Sequence, residues 1–360
     1  MIEKAKRPLI YVGGGAISSG ASDALKTFAQ KLHIPVACSM MGLGAYPCSA
    51  ELFLGLVGMH GNPVANSDLL IAAGARFSNR VAASKESFAP KAKIIHIDID
   101  AAEFDKNIIS DAHILGDLGK TLEKLSTMLP PGENPEWLGE IAEFKRRIPR
   151  PKPYAPYTVL HTLSELTKGE ANIVTDVGQN QMWTAQYYDF ERPRSLITSG
   201  GLGAMGFGMG AAIGAALGKP ERKTVLITGD GGFHMSLSEL ATLSRYNIPV
   251  VVVVMNNGVL GMVRQWQNIF YEKRYSQTDP HRKTDFVKLA EGFGGTDMAA
   301  VAKAFGVKGM RIKNPSQAKR VFKKALSMDK PVVIDCRIDP DCAVLPMIPP
   351  GGDITTAIYK

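Results

Sequence analysis

Short apolar runs rich in Val and Ile recur along the chain, separated by longer stretches with helical spacing of their apolar residues. That alternation predicts a parallel α/β architecture. In the first part the strand-like runs are PLIYVGG (8–14), IPVACS (34–39), DLLIAAG (68–74) and KIIHIDID (93–100). A second series follows: NIVTDVG (172–178), SLITSG (195–200), TVLITGDG (224–231), IPVVVVVMNN (248–257), VKGMRI (307–312) and PVVIDCRI (331–338). The runs are apolar almost throughout, which predicts sheets covered by helices on both faces, two three-layer domains in all. Between the two series the texture breaks. LPPGENPEW (129–137) and IPRPKPYAPYT (148–158) are proline-rich and flank one charged helical stretch. Proline stiffens a segment and stops helices, so the expected domains are 1–130 and 158–360, joined by a linker over 131–157.

Two runs of the second series end abruptly in polar residues, at Gly229-Asp230-Gly231-Gly232 and at Asn256-Asn257-Gly258. In open parallel sheets, ligands bind beyond the carboxyl ends of the strands. A carboxylate and a carboxamide oxygen there suit a hard divalent cation such as Mg²⁺, with phosphate and water completing the shell. The glycines after Asp230 let the backbone approach a phosphate, and a helix starting near Ser236 would offer its amides. Asp-Gly and Asn-Gly are also strong turn formers, so two ordinary strand-end turns are the competing reading.

Composition narrows the field. The net charge is +8, but the basic residues are spread out, with short clusters such as KRRIPRPK (145–152). Nucleic acid would need a massed patch or a known binding fold, and neither is legible. No apolar run reaches the ~20 residues that span a bilayer. MIEKAKRPLIYVGGG carries no cleavage pattern of a signal peptide, so the expected location is cytoplasmic, without membrane. Cys38, Cys48, Cys336 and Cys342 have no CxxC spacing and read as reduced thiols. TDFVKLAEGFG (284–294) and TDMAAVAKAFG (296–306) share a pattern at a 12-residue offset, read as a local duplication lengthening a surface helix.

G-D-G followed at this distance by N-N is the thiamine diphosphate (ThDP) signature. The wider sequence resembles the acetolactate synthase (acetohydroxyacid synthase) large subunits. The resemblance rests on DVGQNQMWTAQ (176–186), SGGLGAMGFGMGAAIGA (199–215), MNNGVLGMVRQWQ (255–267) and VLPMIPPGG (344–352). Upstream it rests on YVGGG, MMGLGAYPC, GLVGMHG, GARFSNRV and HIDID, all in order. It implies a ThDP diphosphate-binding domain after an FAD-binding-like central domain. Asp230, Asn257 and the carbonyl of Val259 would ligate Mg²⁺. Gln179, Gly203, Met205, Gly231, Gly232 and Met262 would line ThDP, with Met205 holding it bent. Trp266 would contact the second substrate. FAD would lie on Gly13, Gly14, Met40, Met41, Gly58, Met59, His60, Gly74, Arg76, Arg80, Asp98 and Ile99, with Arg80 also in the active-site channel. Each of Met205, Trp266 and the two arginines also has a plain structural reading, as core or surface.

The implied reaction is decarboxylation of pyruvate and ligation to a second 2-oxoacid, pyruvate or 2-oxobutyrate. It gives 2-acetolactate or 2-aceto-2-hydroxybutyrate, for branched-chain amino acids. The glutamate that activates ring N1′ belongs, by the same resemblance, to a pyrimidine-binding domain that no segment here resembles. A partial synthase is therefore expected, needing that domain in trans or from the missing part of the same protein. A homo-oligomer and a regulatory small subunit are also implied. A non-catalytic cofactor-binding or assembly module, or another ThDP carboligase or oxidase, remains the alternative. The sequence departs from the family at Asn180, where His is usual, at Ser78 and Asn79, where acids are usual, and in a shortened 61–70.

Overall fold

The computed structural model describes residues 1–57, 62–78, 88–147, 155–278, 297–349, 352–353 and 355–359. The chain divides into two compact units. Unit 1 is Met1–Arg150, Phe190–Arg194 and Leu345–Lys360; unit 2 is Pro151–Asp189 and Ser195–Val344. Each carries a six-stranded parallel sheet with helices between its strands.

In unit 1 the strands are β1 (Pro8–Val12), β2 (Val36–Cys38), β3 (Phe53–Leu56), β4 (Leu69–Ala73), β5 (Lys93–Asp98) and β6 (Ala112–Leu115). Their order is β3-β2-β1-β4-β5-β6, so the winding reverses between β1 and β4. The expected runs are the four inner strands, β1, β2, β4 and β5. The two outer strands, β3 and β6, lie outside them. Each is short and only partly covered, with every second residue of β6 exposed, so neither needs a continuous apolar run. Leu9, Tyr11, Leu70, Ala72 and Ile94 form one core with Trp137 and Ile141. Those last two lie on the helix Pro135–Arg147, within the proline-rich stretch. The Trp137 indole N–H donates to the Pro8 carbonyl at 2.9 Å, satisfying a buried donor while its ring packs into the core.

In unit 2 the strands are β7 (Asn172–Thr175), β8 (Leu196–Ile197), β9 (Thr224–Gly229), β10 (Val250–Asn256), β11 (Lys308–Ile312) and β12 (Val332–Arg337). All six coincide with expected runs. The order is β11-β12-β10-β9-β7-β8. β10 is buried along its whole length between β9 and β12, which is why its sequence is an unbroken valine run. Met209 and Ala212 of the helix Phe207–Gly218 and Leu240 and Leu243 of the helix Leu240–Tyr246 pack with these valines in one core. The second repeat copy supplies the helix Met298–Ala304, whose Met298 and Ala302 join the same core. It is therefore a core helix, not a surface one; the first copy lies outside the described residues. Among the described residues no helix is long and apolar enough to cross a membrane.

Candidate active site

The polar residues that end β7, β9 and β10 gather on one edge of the unit 2 sheet, where the strand order turns back. β9 stops at Gly229 and the chain turns straight into the helix Asp230–Met235. The helix start expected near Ser236 is thus corrected to Asp230, and Ser236 sits at its C-terminal end. The glycines after Asp230 let the chain coil without side chains that would press on Leu260, Met205 and Asp176. Asp230 is 3% exposed. Burial pushes its carboxyl up to about 7, opposed by its own N–H, those of Gly231 and Gly258, and last by the charge of Arg337. The Gly258 N–H donates to Asp230 Oδ2 at 3.1 Å, tying the β10 turn to the β9 end.

The two asparagines after β10 separate into different roles. Asn256 donates to Asp335 Oδ1 on β12 at 3.0 Å, a buried bond between adjacent strands. Asn257 donates to Gln179 Oε1 at 3.1 Å, and its Oδ1 accepts from the Val259 N–H at 3.2 Å. Among the described residues no three His, Cys, Asp or Glu side chains cluster as a metal site. A cation here would rest on one carboxylate plus amide and carbonyl oxygens. That donor set fits Mg²⁺ better than Zn²⁺. A buried carboxyl held near neutral pKa by desolvation is what a hard cation would relieve, so the residues present fit the ion.

A second acid, Asp176 at the end of β7, is 1% exposed. Its Oδ1 accepts from the Val177 and Gly206 N–H groups at 2.7 and 3.0 Å, and its Oδ2 from Gly208 N–H at 3.0 Å. It thereby caps the start of the helix Phe207–Gly218, satisfying N–H groups that have no partner within the helix. A Cβ on Gly232 would lie 2.6 Å from Asp176 Oδ1, so glycine there is a steric requirement. A Cβ on Gly231 would lie 3.3 Å from the Met205 methyl. The Met205 side chain thus reaches over the glycine turn while staying 38% exposed. Gly203, with φ at +72°, turns the preceding loop. The helix Gly261–Phe270 carries half-buried Met262, buried Gln265, and Trp266, whose ring packs edge-on to Phe270 at 5.4 Å. Asp176 and Gln265 are absent from the sequence-derived candidates. NIVTDVG did carry the signal for Asp176, a strand run ending in an acid; no local signal marks Gln265.

In unit 1 the described FAD candidates also fall at strand carboxyl ends: Gly13 and Gly14 after β1, Met40 and Met41 after β2, Gly74 and Arg76 after β4, Asp98 and Ile99 at and after β5. The Gly13 N–H donates to Ala73 and the Gly15 N–H to Gly74, each at 3.0 Å, and a Cβ on Gly13 would collide with the Gly74 carbonyl. The glycines thus let two loops touch at the reversal of the sheet. Met41 and Ile99 stay exposed beside them. Gly58, Met59, His60 and Arg80 lie outside the described residues.

The central-domain model of the thiamine pyrophosphate enzymes matches residues 1–125, and their C-terminal TPP-binding domain model matches residues 176–336. The chain is 44% identical over 377 residues to the probable acetolactate synthase large subunit of Methanocaldococcus jannaschii, covering 99% of this chain and 62% of that relative. It is 39% identical to the Escherichia coli K12 acetolactate synthase isozyme 3 large subunit, over 97% of this chain and 62% of the relative. Identity to the chloroplastic acetolactate synthase 1 of Nicotiana tabacum is 41%, over 100% and 55% of the two chains. The chain thus spans about three fifths of the length of such relatives.

Proposed function

The chain belongs to the thiamine pyrophosphate enzymes, and on that premise we propose that it is the cofactor-binding part of an acetolactate synthase large subunit, a carboligating transferase. The reaction would be decarboxylation of pyruvate and transfer of the remaining two-carbon unit to pyruvate or 2-oxobutyrate, yielding 2-acetolactate or 2-aceto-2-hydroxybutyrate for branched-chain amino acids. The observation that carries the reading is Asp230, 3% exposed and tied to the Gly258 N–H where three strand ends meet. Bound ThDP supplies the electron sink for the carbanion chemistry.

This chain's residues would do the holding. Asp230, Asn257 and the Val259 carbonyl would bind Mg²⁺, and the glycine turn 231–232 would admit the diphosphate. Gln179, Gly203 and Met262 would border the rest of the cofactor. Met205, exposed as a residue and with its methyl over Gly231, has the placement of a prop beneath the bent cofactor. Trp266, 37% exposed, is available to a substrate and would sort acceptors by size. Arg80 would serve the same channel. FAD would bind unit 1 along the strand ends of β1, β2, β4 and β5 without being consumed. The activity would need a pyrimidine-binding domain, on another chain or on the same protein; a homo-oligomer and a regulatory small subunit are the further expected partners.

Two measurements test this. Calorimetry should find ThDP binding that requires Mg²⁺ and disappears in Asp230→Ala; equal binding with and without Mg²⁺ sinks the metal assignment. Mixed with a pyrimidine-binding domain and pyruvate, the chain should make acetolactate. Binding without any turnover in that mixture would favour a non-catalytic module.

A further inference from the structure

Three side-chain amides stand in series behind the proposed Mg²⁺ site. Gln265 is 6% exposed and pairs with one backbone residue at both of its ends. The Val344 N–H donates to Gln265 Oε1 at 2.8 Å, and Gln265 Nε2 donates to the Val344 carbonyl at 3.0 Å. A backbone N–H can only donate and a backbone carbonyl can only accept, so this pairing fixes which end of Gln265 is oxygen. Gln179, 5% exposed, donates from Nε2 to that oxygen at 2.9 Å and to the Cys342 carbonyl at 3.0 Å. Its Nε2 is thereby fixed, and its Oε1 must face the other way. There it accepts from Asn257 Nδ2 at 3.1 Å, which leaves Asn257 Oδ1 on the opposite side, beside the Val259 N–H. The chain of constraint runs from Val344 to Gln265, to Gln179, to Asn257. Gly261 closes over it: a Cβ there would collide with Gln179 Oε1 and lie 2.6 Å from Asn257 Nδ2.

We propose that Gln265 is a positioning residue, which acts through Gln179 to set the carboxamide of Asn257 with its oxygen toward the metal. The proposal rests on the Mg²⁺ reading above. An asparagine free to flip would offer its NH₂ to a cation in one of its two orientations, and an amide nitrogen is a poor ligand for Mg²⁺. Partners behind a metal ligand commonly govern roughly 10–100-fold in metal affinity. The relay also makes the 342–344 segment part of the site's machinery although it holds no ligand.

A double-mutant cycle reads this directly. Gln265→Met keeps length and removes both ends of the pairing. Asn257→Asp makes both terminal atoms oxygen, so its orientation no longer matters. In the parent background, the carboxylate introduced by Asn257→Asp meets the locked Gln179 Oε1 and should weaken Mg²⁺ binding. In the Gln265→Met background Gln179 Nε2 keeps the Cys342 carbonyl as its one anchor in place of two, so turning its NH₂ toward that carboxylate costs less, and binding should recover. Affinity is measured by calorimetry with Mg²⁺ and ThDP on the full chain, with folding checked by circular dichroism. The expected result is a roughly tenfold loss for each single variant and a double variant better than either. Additive losses, with Asp230-dependent Mg²⁺ binding intact in the parent, overturn the relay alone. Mg²⁺ binding that ignores Asp230→Ala overturns the metal reading and the relay with it. Should a variant not fold, ¹⁵N labelling of Asn and Gln in the parent decides the matter. Mg²⁺ should shift the Gln265 carboxamide resonance, and an unmoved resonance overturns the proposal.

Discussion

Replacing Asp230 by Asn should stabilise the metal-free chain above neutral pH and destabilise it at acid pH. Burial raises this carboxyl from 3.8 to about 7. That is roughly 3 pH units, and at about 1.36 kcal/mol per unit the ionised group costs the folded state about 4 kcal/mol. Because the folded pKa lies above the unfolded one, the folded chain holds the extra proton between about pH 4 and 7. Stability from this group is therefore whole below pH 4 and lost as pH rises to 7, with no further change above. The carboxamide of Asp230→Asn would keep an oxygen for the Gly258 N–H but adds an NH₂ whose burial costs about 1–3 kcal/mol. The net gain at pH 8 should be about 1–3 kcal/mol, while at pH 4 the variant should be the less stable of the two. The assay is urea unfolding in chelated buffer from pH 4 to 8. A Trp137→Phe background removes the unit 1 tryptophan, so that the fluorescence of Trp183 and Trp266 reports unit 2. Parallel stability curves for parent and variant across pH 4–7 would refute the reasoning. In the same variant, Mg²⁺ should no longer stabilise the chain at any pH.

Three further outcomes are expected. Trp137→Ala should cost unit 1 about 3–5 kcal/mol, because a fully packed indole and its bond to Pro8 are lost together; a melting point unchanged in calorimetry would contradict the packing. Gly232→Ala should destabilise unit 2 by about 1–3 kcal/mol, since its methyl would press on the buried Asp176 carboxylate, and ThDP-dependent stabilisation should vanish with it. With a pyrimidine-binding domain supplied, Trp266→Leu should shift products away from 2-oxobutyrate by up to about tenfold, a pocket change being worth about 1–3 kcal/mol; an unchanged ratio in a pyruvate/2-oxobutyrate competition removes the role.

The inner strands were legible because burial on both faces demands apolar residues at every position, as in the valine run of β10. The outer β3 and β6 escaped because edge strands carry no such demand. Asp230 was legible as an acid closing an apolar run, whereas the start of its helix was not. Glycines at 231 and 232 read locally as a loop; they form the first turn of the helix, Gly232 against Asp176 and Gly231 against Leu260 and Met205, contacts no local pattern reveals. Which of Asn256 and Asn257 faces the site follows only from pairing: Asn256 is the last paired residue of β10, aligned with Arg337 of β12 and bonded to Asp335. Gln265 was invisible for a similar reason. Its partners are Gln179, 86 positions away, and Val344, 79 positions away, and no local pattern couples such distances.

Unit 1 is discontinuous, and that orders its assembly in time. Its sheet is complete in sequence by Leu115, and the indole that caps β1 follows at Trp137. Yet Ile348, which packs against the same core, belongs to a segment made only after all of unit 2. That segment folds back on itself, Met347 and Ile358 exchanging two backbone hydrogen bonds at 3.1 and 2.8 Å. During synthesis from the amino end, the unit begun first is therefore finished last. Until then it exposes the apolar surface that Ile348 will cover, while unit 2, whose residues are all made by Val344, already has every strand of its sheet.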